Sequence, residues 1–313
     1  MSEHDVEIVV PDAGVAVATR CGFVALVGAP NAGKSTLMNS LVGAKVSIVT
    51  HKAQTTRAQI RGVVTDGPTQ VVFIDTPGIF APKRRLDRAM VQSAWTGAGD
   101  ADMVAFIVDA ERGITPELDA LISGLESIRH PKVLILNKID LVKHESLLGL
   151  SEELNKRLAF EATFMISATR GHGVGDFMAW TREHIPEGPW HFPEDQLTDL
   201  TLALTAAEVT REKLFLRIHD EIPYNTTVET EAFEIKKDGS YKINQVVYVT
   251  RDQHKKIVLG AGGQTIKAIG ADARKELMGM FDTEVHLFLF VKVREKWGDD
   301  PERYREMGLD WTK

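Results

Sequence analysis

Two kinds of hydrophobic pattern divide the chain. Over residues 23–185, short unbroken apolar runs alternate with longer stretches of helical periodicity. The runs FVALVG, QVVFIDTP, MVAFIVDA, KVLILNKID and TFMISAT are rich in Val, Ile and Phe, and each ends in polar or glycine residues. Continuous rather than alternating runs predict strands buried on both faces, hence a mostly parallel sheet covered by helices. RAQIRGVVTDG alternates better and joins TQVVFIDTP through Asp66-Gly67-Pro68. That predicts a hairpin adding one antiparallel edge strand. The expected architecture over residues 21–186 is a doubly wound α/β domain, with ligands beyond the carboxyl ends of its strands.

A second pattern follows IPEGPWHFPEDQLTD, whose three prolines, glycine and acids read as an interdomain linker over residues 187–200. LALTAAEVTREKLFLRI has helical periodicity. TTVETEAFEIKK and YKINQVVYVTR read as strands joined at Asp238-Gly239, a hairpin dipeptide. Then come a short helix, the glycine turn of KKIVLGAGGQTIKAIG, a longer helix QTIKAIGADARKELMGMF and the strand EVHLFLFVKV. This order predicts a small α+β domain over residues 201–297. Residues 1–20 read as a mobile extension, and no role follows for the acidic tail over residues 298–313. No internal repeat is visible.

Composition narrows the choices. The chain has 313 residues, 43% of them hydrophobic and 26% charged, enough for two ordinary domains. Its formal net charge of -7 means that any nucleic-acid role must rest on a local basic face. The single cysteine, Cys21, excludes an internal disulfide or thiolate cluster and reads as a small apolar strand residue. The N-terminus lacks the basic start of a secretory signal, and no apolar run is long enough to span a bilayer. A cytoplasmic monomer is expected.

The strand FVALV runs into GAPNAGKST, in which Gly28, four further residues and Gly33-Lys34-Ser35 make a phosphate-binding loop before a helix. Backbone N–H groups from Gly28, Ala29, Asn31, Ala32, Gly33 and Thr36 would turn around phosphate oxygens at the helix's positive end. Lys34 would bridge the β- and γ-phosphates, and Ser35 would hold magnesium. The loop alone does not choose between ATP and GTP; later motifs do. Asp75 and Gly78 of DTPG follow a buried strand, beside the metal and the γ-phosphate. In NKID, Asn137, Lys138 and Asp140 end another strand, where the Asp140 carboxylate accepts from guanine N1–H and the 2-amino group. Adenine offers neither donor, and an unpaired buried carboxylate would penalise it by several kcal/mol. Ser167, Ala168 and Thr169 of SAT end the last strand, where the Ala168 N–H would meet guanine O6.

Together these motifs resemble the translation-factor-like GTPases, and especially the bacterial Era family, over residues 23–297. The resemblance implies a GTPase using GTP/GDP and Mg2+. It makes HKAQTTR the first switch, with Thr56, or less readily Thr55, as a metal ligand beside Ser35 and Asp75. Many GTPases place a water-orienting glutamine just after this D-x-x-G motif. Here that residue is Ile79, so slow intrinsic turnover is expected. Related GTPases with an apolar residue there use K+ held by the loop asparagine, which makes Asn31 a catalytic candidate with Lys34 and Thr56. A loop-stabilising role for Asn31 stays open. The segment after Gly78, IFAPKRRLDRAMVQSAW, would be the second switch.

GAGGQT starts like a dinucleotide fingerprint, yet Thr265 replaces the last glycine and no preceding strand is expected. IVLGAGGQTIKAIG instead resembles a K-homology RNA-binding motif, in which a G-x-x-G turn (Gly260, Ala261, Gly262, Gly263) lets backbone approach a sugar–phosphate chain. The element order fits the type II arrangement. Over residues 251–275, six basic residues face two acids, a local +4 that includes Lys255, Lys256, Lys267 and Arg274. Era-like proteins commonly carry a lysine inside the turn, where this chain has Ala261 and Gly262. The resemblance implies a GTP-switched protein that binds the 3′ end of small-subunit ribosomal RNA and assists small-subunit assembly. Two rivals stay open: a small-molecule kinase, and a membrane-associated signalling switch with a protein partner, peripheral at the membrane's inner face.

Overall fold

The computed structural model describes residues 18–52 and 54–311, so the expected N-terminal extension lies outside the described residues apart from its last three. Six strands form the first sheet: β1 (Arg20–Gly28), β2 (Ile60–Asp66), β3 (Thr69–Asp75), β4 (Met103–Asp109), β5 (Lys132–Asn137) and β6 (Ala162–Ile166). Their order is β2-β3-β1-β4-β5-β6, and β2, the expected hairpin arm, is antiparallel to β3. Every residue of β3 and β4 is buried, as their unbroken apolar runs require. One face packs Leu26, Phe73 and Ile107 against Leu37 of α1 (Lys34–Val42) and Phe177 of α5 (Val174–His184). The other packs Val27, Phe106 and Leu134 against α2 (Arg85–Asp100) and α3 (Pro116–Glu126). A fourth helix, α4 (His144–Arg157), precedes β6. Strand order reverses around β1, which places the ligand crevice at its carboxyl end.

The second domain runs α6 (Leu202–Arg217), β7 (Thr226–Ile235), β8 (Tyr241–Val249), α7 (Asp252–Leu259), α8 (Gln264–Phe281) and β9 (Val285–Val293). Its sheet order is β7-β8-β9, with β7 antiparallel and β9 parallel to β8. Gly239, at φ 83°, makes the expected hairpin turn. Phe215, Val247, Val258 and Ile269 close the core beneath the helices.

Two segments differ from their expected character. Residues 187–199 are not a free tether but a strap, which meets Thr19 and Arg20 at the start of β1, Gln70 of β3 and, through residues 197–199, the outer edge of β2. Leu197 O accepts from Val63 N at 2.9 Å, Thr198 bridges Gly62, and the Asp199 carboxylate takes Arg61 N at 3.1 Å and its guanidinium at 2.8 Å. The fully buried Gln70 anchors the strap: its Oε1 accepts from His191 N and Phe192 N, both at 3.0 Å, and its Nε2 donates to Phe192 O at 2.9 Å.

The acidic tail is likewise structured. Asp300 caps α9 (Pro301–Glu306), accepting from Glu302 N at 3.1 Å. Trp297, Tyr304 and Leu309 are buried against Leu86, Ala89 and Met90 of α2. Arg303 pairs with Glu229 of β7 and lies 4.6 Å from the Tyr248 ring. The tail therefore bridges the second domain's sheet and the helix that follows Gly78. Replacing Gln70 by Ala would orphan two strap N–H groups and cost about 2 kcal/mol. Urea unfolding measures the loss, and faster amide exchange at His191 and Phe192 locates it.

Candidate nucleotide site and nucleic-acid interface

The loop between β1 and α1 is shaped by residues that tolerate no other side chain. A Cβ on Gly28 would stand 2.4 Å from Ile107 O, and one on Gly33, at φ 98°, 2.1 Å from Asn137 Nδ2. Gly33 caps α1 without a side-chain bond, and the first helical bond is Leu37 N to Gly33 O at 2.8 Å. The first-turn N–H groups of Lys34, Ser35 and Thr36 thus face the loop, where an anion would satisfy them. Lys34 is 6% exposed and donates to Gly28 O at 3.1 Å and Ala29 O at 2.9 Å. Burial lowers its pKa to about 8, against the pull of Asp75. Ala32 is buried: its N–H bonds Ala29 O and its carbonyl accepts from Asn137.

Three hydroxyls surround one carboxylate oxygen. Asp75 Oδ2 accepts from Ser35 Oγ at 2.6 Å, Ser47 Oγ at 2.8 Å and Thr56 Oγ1 at 3.1 Å, and Ser35 and Thr56 are 3.0 Å apart. Burial raises the Asp75 pKa, with the hydroxyls and Lys34 opposing the rise. Its Oδ1 is buried without a partner. An all-oxygen set with an orphaned carboxylate oxygen fits magnesium, which Ser35, Thr56 and Asp75 would hold. Thr55 does not join them; its hydroxyl meets Thr50 Oγ1 at 2.6 Å and donates to Lys52 O at 2.7 Å. Ser47 was not legible as part of this group, since no motif marks it.

Beyond Gly78, the side chain of Ile79 is buried with Val27 and Phe106, and its N–H donates to Gly28 O at 3.2 Å. A Cβ on Gly78 would lie 2.8 Å from Pro30 Cα, so only glycine brings this backbone so close to the phosphate loop. Asn31, itself at φ 64°, donates to His51 O at 2.8 Å, joining that loop to the first switch.

The phosphate loop and base-side loops frame a cleft of about 840 Å³ lined by Lys34, Thr56, Lys138, Asp140 and Thr169 among others. Asn137 is the internal tie: Nδ2 donates to Ala32 O at 2.8 Å and Oδ1 accepts from Ala168 N at 3.0 Å. The Ala168 N–H, expected to meet guanine O6, donates here to Asn137 Oδ1 and would serve both acceptors by sharing. Ser167 sits behind the wall, and its hydroxyl bond is the main cause holding the Asp140 carboxyl below its ordinary range; Arg170, 3.3 Å away, adds to it. Asp140 is thus ionised and oriented as an acceptor. Lys138 is fixed along the wall by Asp109 at 2.5 Å. Asp109 was missed in the sequence, although it ends a buried strand as Asp75 does.

Both segments expected to act as switches rest on the second domain. Lys45 pairs with Glu212 of α6 at 2.6 Å, and Glu212 also accepts from Val49 N at 2.9 Å. Lys52 donates to Phe215 O and Ile218 O at the end of α6, while Arg211 of α6 donates to Thr55 O. Arg84 reaches Asn225 Oδ1 at 3.0 Å, and the tail covers α2.

In the G-x-x-G turn, Gly260 (φ 72°, ψ 177°) brings its backbone so near Thr265 that a Cβ would lie 2.1 Å from the hydroxyl. Gly263 is left-handed at φ 78°, and Ala261 and Gly262 are exposed. A cleft of about 380 Å³ between α8 and β9 is lined by Ile266, Lys267, Gly270, Arg274, Phe288 and Phe290. Lys255 and Lys256 stay on α7, outside that lining. None of the four basic residues pairs with an acid among the described residues, whereas Asp272 is taken by Arg217 at 2.8 Å. Phe288 and Phe290, about half exposed, were missed, though the alternation in EVHLFLFVKV could have marked them.

A loop of phosphate-binding form, an all-oxygen pocket that fits magnesium and an ionised carboxylate placed where guanine would lie, on a doubly wound sheet, are the features of a P-loop GTPase, here joined to a KH fold. Models of a 50S ribosome-binding GTPase and of a KH domain match residues 23–138 and 221–298. GTPase Era of Rhizobium meliloti (strain 1021) is 61% identical over 298 residues, 95% of each chain. GTPase Era of Brucella suis biovar 1 (strain 1330) is 58% identical over 95% of each. A crystal structure of Era with MgGDPNP and nucleotides 1506–1542 of 16S ribosomal RNA matches at TM-score 0.88 and 36% identity, covering 93% of this chain and 99% of that one. An Aquifex aeolicus Era variant bound to GDP·AlF4− matches with the same values. The chain belongs to the Era GTPase family.

Two substitutions test the site. Asp140→Asn should weaken GTP binding by about 2–3 kcal/mol and favour xanthosine triphosphate, whose base offers an acceptor in place of the 2-amino group. Competition binding with both nucleotides reads this. Thr56→Ala should raise the magnesium concentration needed for half-maximal turnover, whereas Thr55→Ala should leave it within about twofold, below 0.5 kcal/mol.

Proposed function

We propose that this GTPase is a GTP-gated clamp for single-stranded small-subunit ribosomal RNA, acting in assembly of the small ribosomal subunit. The observation that carries the reading is mechanical. The loops that would read the γ-phosphate touch the same domain that presents the basic cleft edged by Phe288 and Phe290. Bases stack on exposed aromatic faces while cations meet the backbone, a pairing suited to unpaired RNA. The Era structure holding 16S nucleotides supports the choice of RNA. A membrane-linked signalling role fits less well, because the KH fold and this cleft have the chemistry of RNA recognition. Among the described residues, no helix is long and apolar enough to cross a membrane.

In this reading residues 21–186 hydrolyse GTP, residues 187–200 anchor the second domain, residues 201–297 bind RNA, and the tail reports on α2. The residues of the phosphate loop, with Asp75, Gly78, Asn137, Lys138, Asp140, Ser167, Ala168 and Thr169, hold or support the nucleotide. Lys255, Lys256, Lys267, Arg274 and the turn 260–263 hold RNA. Hydrolysis is slow because Ile79 offers nothing to orient water; Asn31 would hold a potassium ion, which would supply the missing charge. The protein works in the cytoplasm as a monomer.

Crosslinking in cells followed by sequencing tests the RNA half. Wild type should recover small-subunit ribosomal RNA, and both Gly260→Asp/Gly263→Asp and the surface pair Lys267→Glu/Arg274→Glu should lose it while still binding GDP. Absence of that RNA in wild type, or its retention in both variants, refutes the reading. Exchanging potassium for sodium should slow turnover several-fold in wild type and leave Asn31→Ala unaffected.

A further inference from the structure

Arg57 directly follows Thr56, yet its side chain ends inside the second domain. Nη1 donates to Thr226 O at 2.7 Å and Nη2 to Pro223 O at 3.2 Å. Its Cζ lies 5.7 Å from the Phe215 ring centroid and 5.5 Å from that of Trp297. The residue is 4% exposed, and its Nε has no hydrogen-bond partner. Burying a guanidinium against neutral carbonyls costs several kcal/mol of hydration that its hydrogen bonds and the two rings only partly offset. Neither hydrophobic core needs it: both close around apolar side chains.

What the arrangement does accomplish is visible one residue earlier. Arg211 of α6 donates to Thr55 O and is itself held by Glu208, so both neighbours of Thr56 are tied to the second domain, Thr55 by its carbonyl and Arg57 by its side chain. Between these anchors the Thr56 hydroxyl faces Ser35 and Asp75.

We propose that Arg57 is a positioning residue that sets Thr56 for magnesium and GTP through its anchorage at residues 223–226. Binding of magnesium–GTP and docking of the second domain on the first switch are then one equilibrium, and each must favour the other by the same factor. The proposal rests on Thr56 as a metal ligand.

The test uses the full chain as wild type, Arg57→Gln, Arg57→Lys and Thr56→Ala. Affinities for GDP and a non-hydrolysable GTP analogue are measured across magnesium concentrations, together with amide exchange over residues 222–226 and melting temperature. In wild type the analogue should slow exchange at 222–226 more than GDP does. Arg57→Gln should lose that difference and bind the analogue about tenfold more weakly, with GDP affinity unchanged. Arg57→Lys, which keeps charge but not the fork, should fall between, and it carries the test if Arg57→Gln does not fold. An analogue-to-GDP ratio unchanged in the Arg57 variants but abolished in Thr56→Ala overturns the role of Arg57. Equal weakening of both nucleotides with a lowered melting temperature overturns it too, as plain scaffolding. An unchanged ratio in Thr56→Ala overturns the metal-ligand reading beneath it.

Discussion

The Asp75 carboxylate, sealed at the end of a fully buried strand, is the constraint around which the molecule is arranged. A dry carboxylate must be met by donors, and three arrive from different places: the first turn of α1, Ser47, and Thr56 from the first switch. Each of these segments is held in place partly because Asp75 requires its hydroxyl. The oxygen left without a partner gives the pocket its appetite for a hard cation. Structure and chemistry therefore share one atom group.

A second theme is the burial of cations at junctions. Lys34 lies on two loop carbonyls, and Arg57 and Arg211 end where the domains meet. Carbonyl oxygens satisfy such groups only partially, so each can be drawn toward a stronger anion or released when a segment moves. Around the first switch the domain interface is correspondingly polar, made of Lys45, Lys52, Arg57, Glu212 and Glu276, whereas the tail meets α2 through an apolar cluster. Polar junctions of this kind suit domains that separate and return.

Much of this was legible in the sequence because local rules carried it. Unbroken Val/Ile/Phe runs marked the parallel strands, Asp66-Gly67 and Asp238-Gly239 marked the hairpins, and the glycine loops marked both clefts. What stayed hidden depends on contacts between residues far apart. Thr55 and Thr56 are chemically equivalent until the fold turns one toward Ser35 and the other toward Thr50. The strap looked like a tether because its docking depends on Gln70, a single polar residue inside an apolar strand. The tail looked merely acidic, since Trp297, Tyr304 and Leu309 follow no simple period and their partners lie on α2. The bond of the Ala168 N–H to Asn137 was hidden too, because the two residues stand at the ends of different strands.

The strap and the tail together have a consequence for movement. Because residues 187–199 are bound in turn to the start of β1, to β3 and to β2, the second domain leaves the first only at about residue 200, with no slack to spend. Because the tail grips α2, the far side of the same domain is held as well. Apart from its polar contacts with the first switch, the second domain is held at these two separated points, and a body so held has one easy motion left, a turn about the line that joins them. Were the contacts at the first switch released, the second domain would hang like a door rather than a pendulum, its swing confined to a single arc.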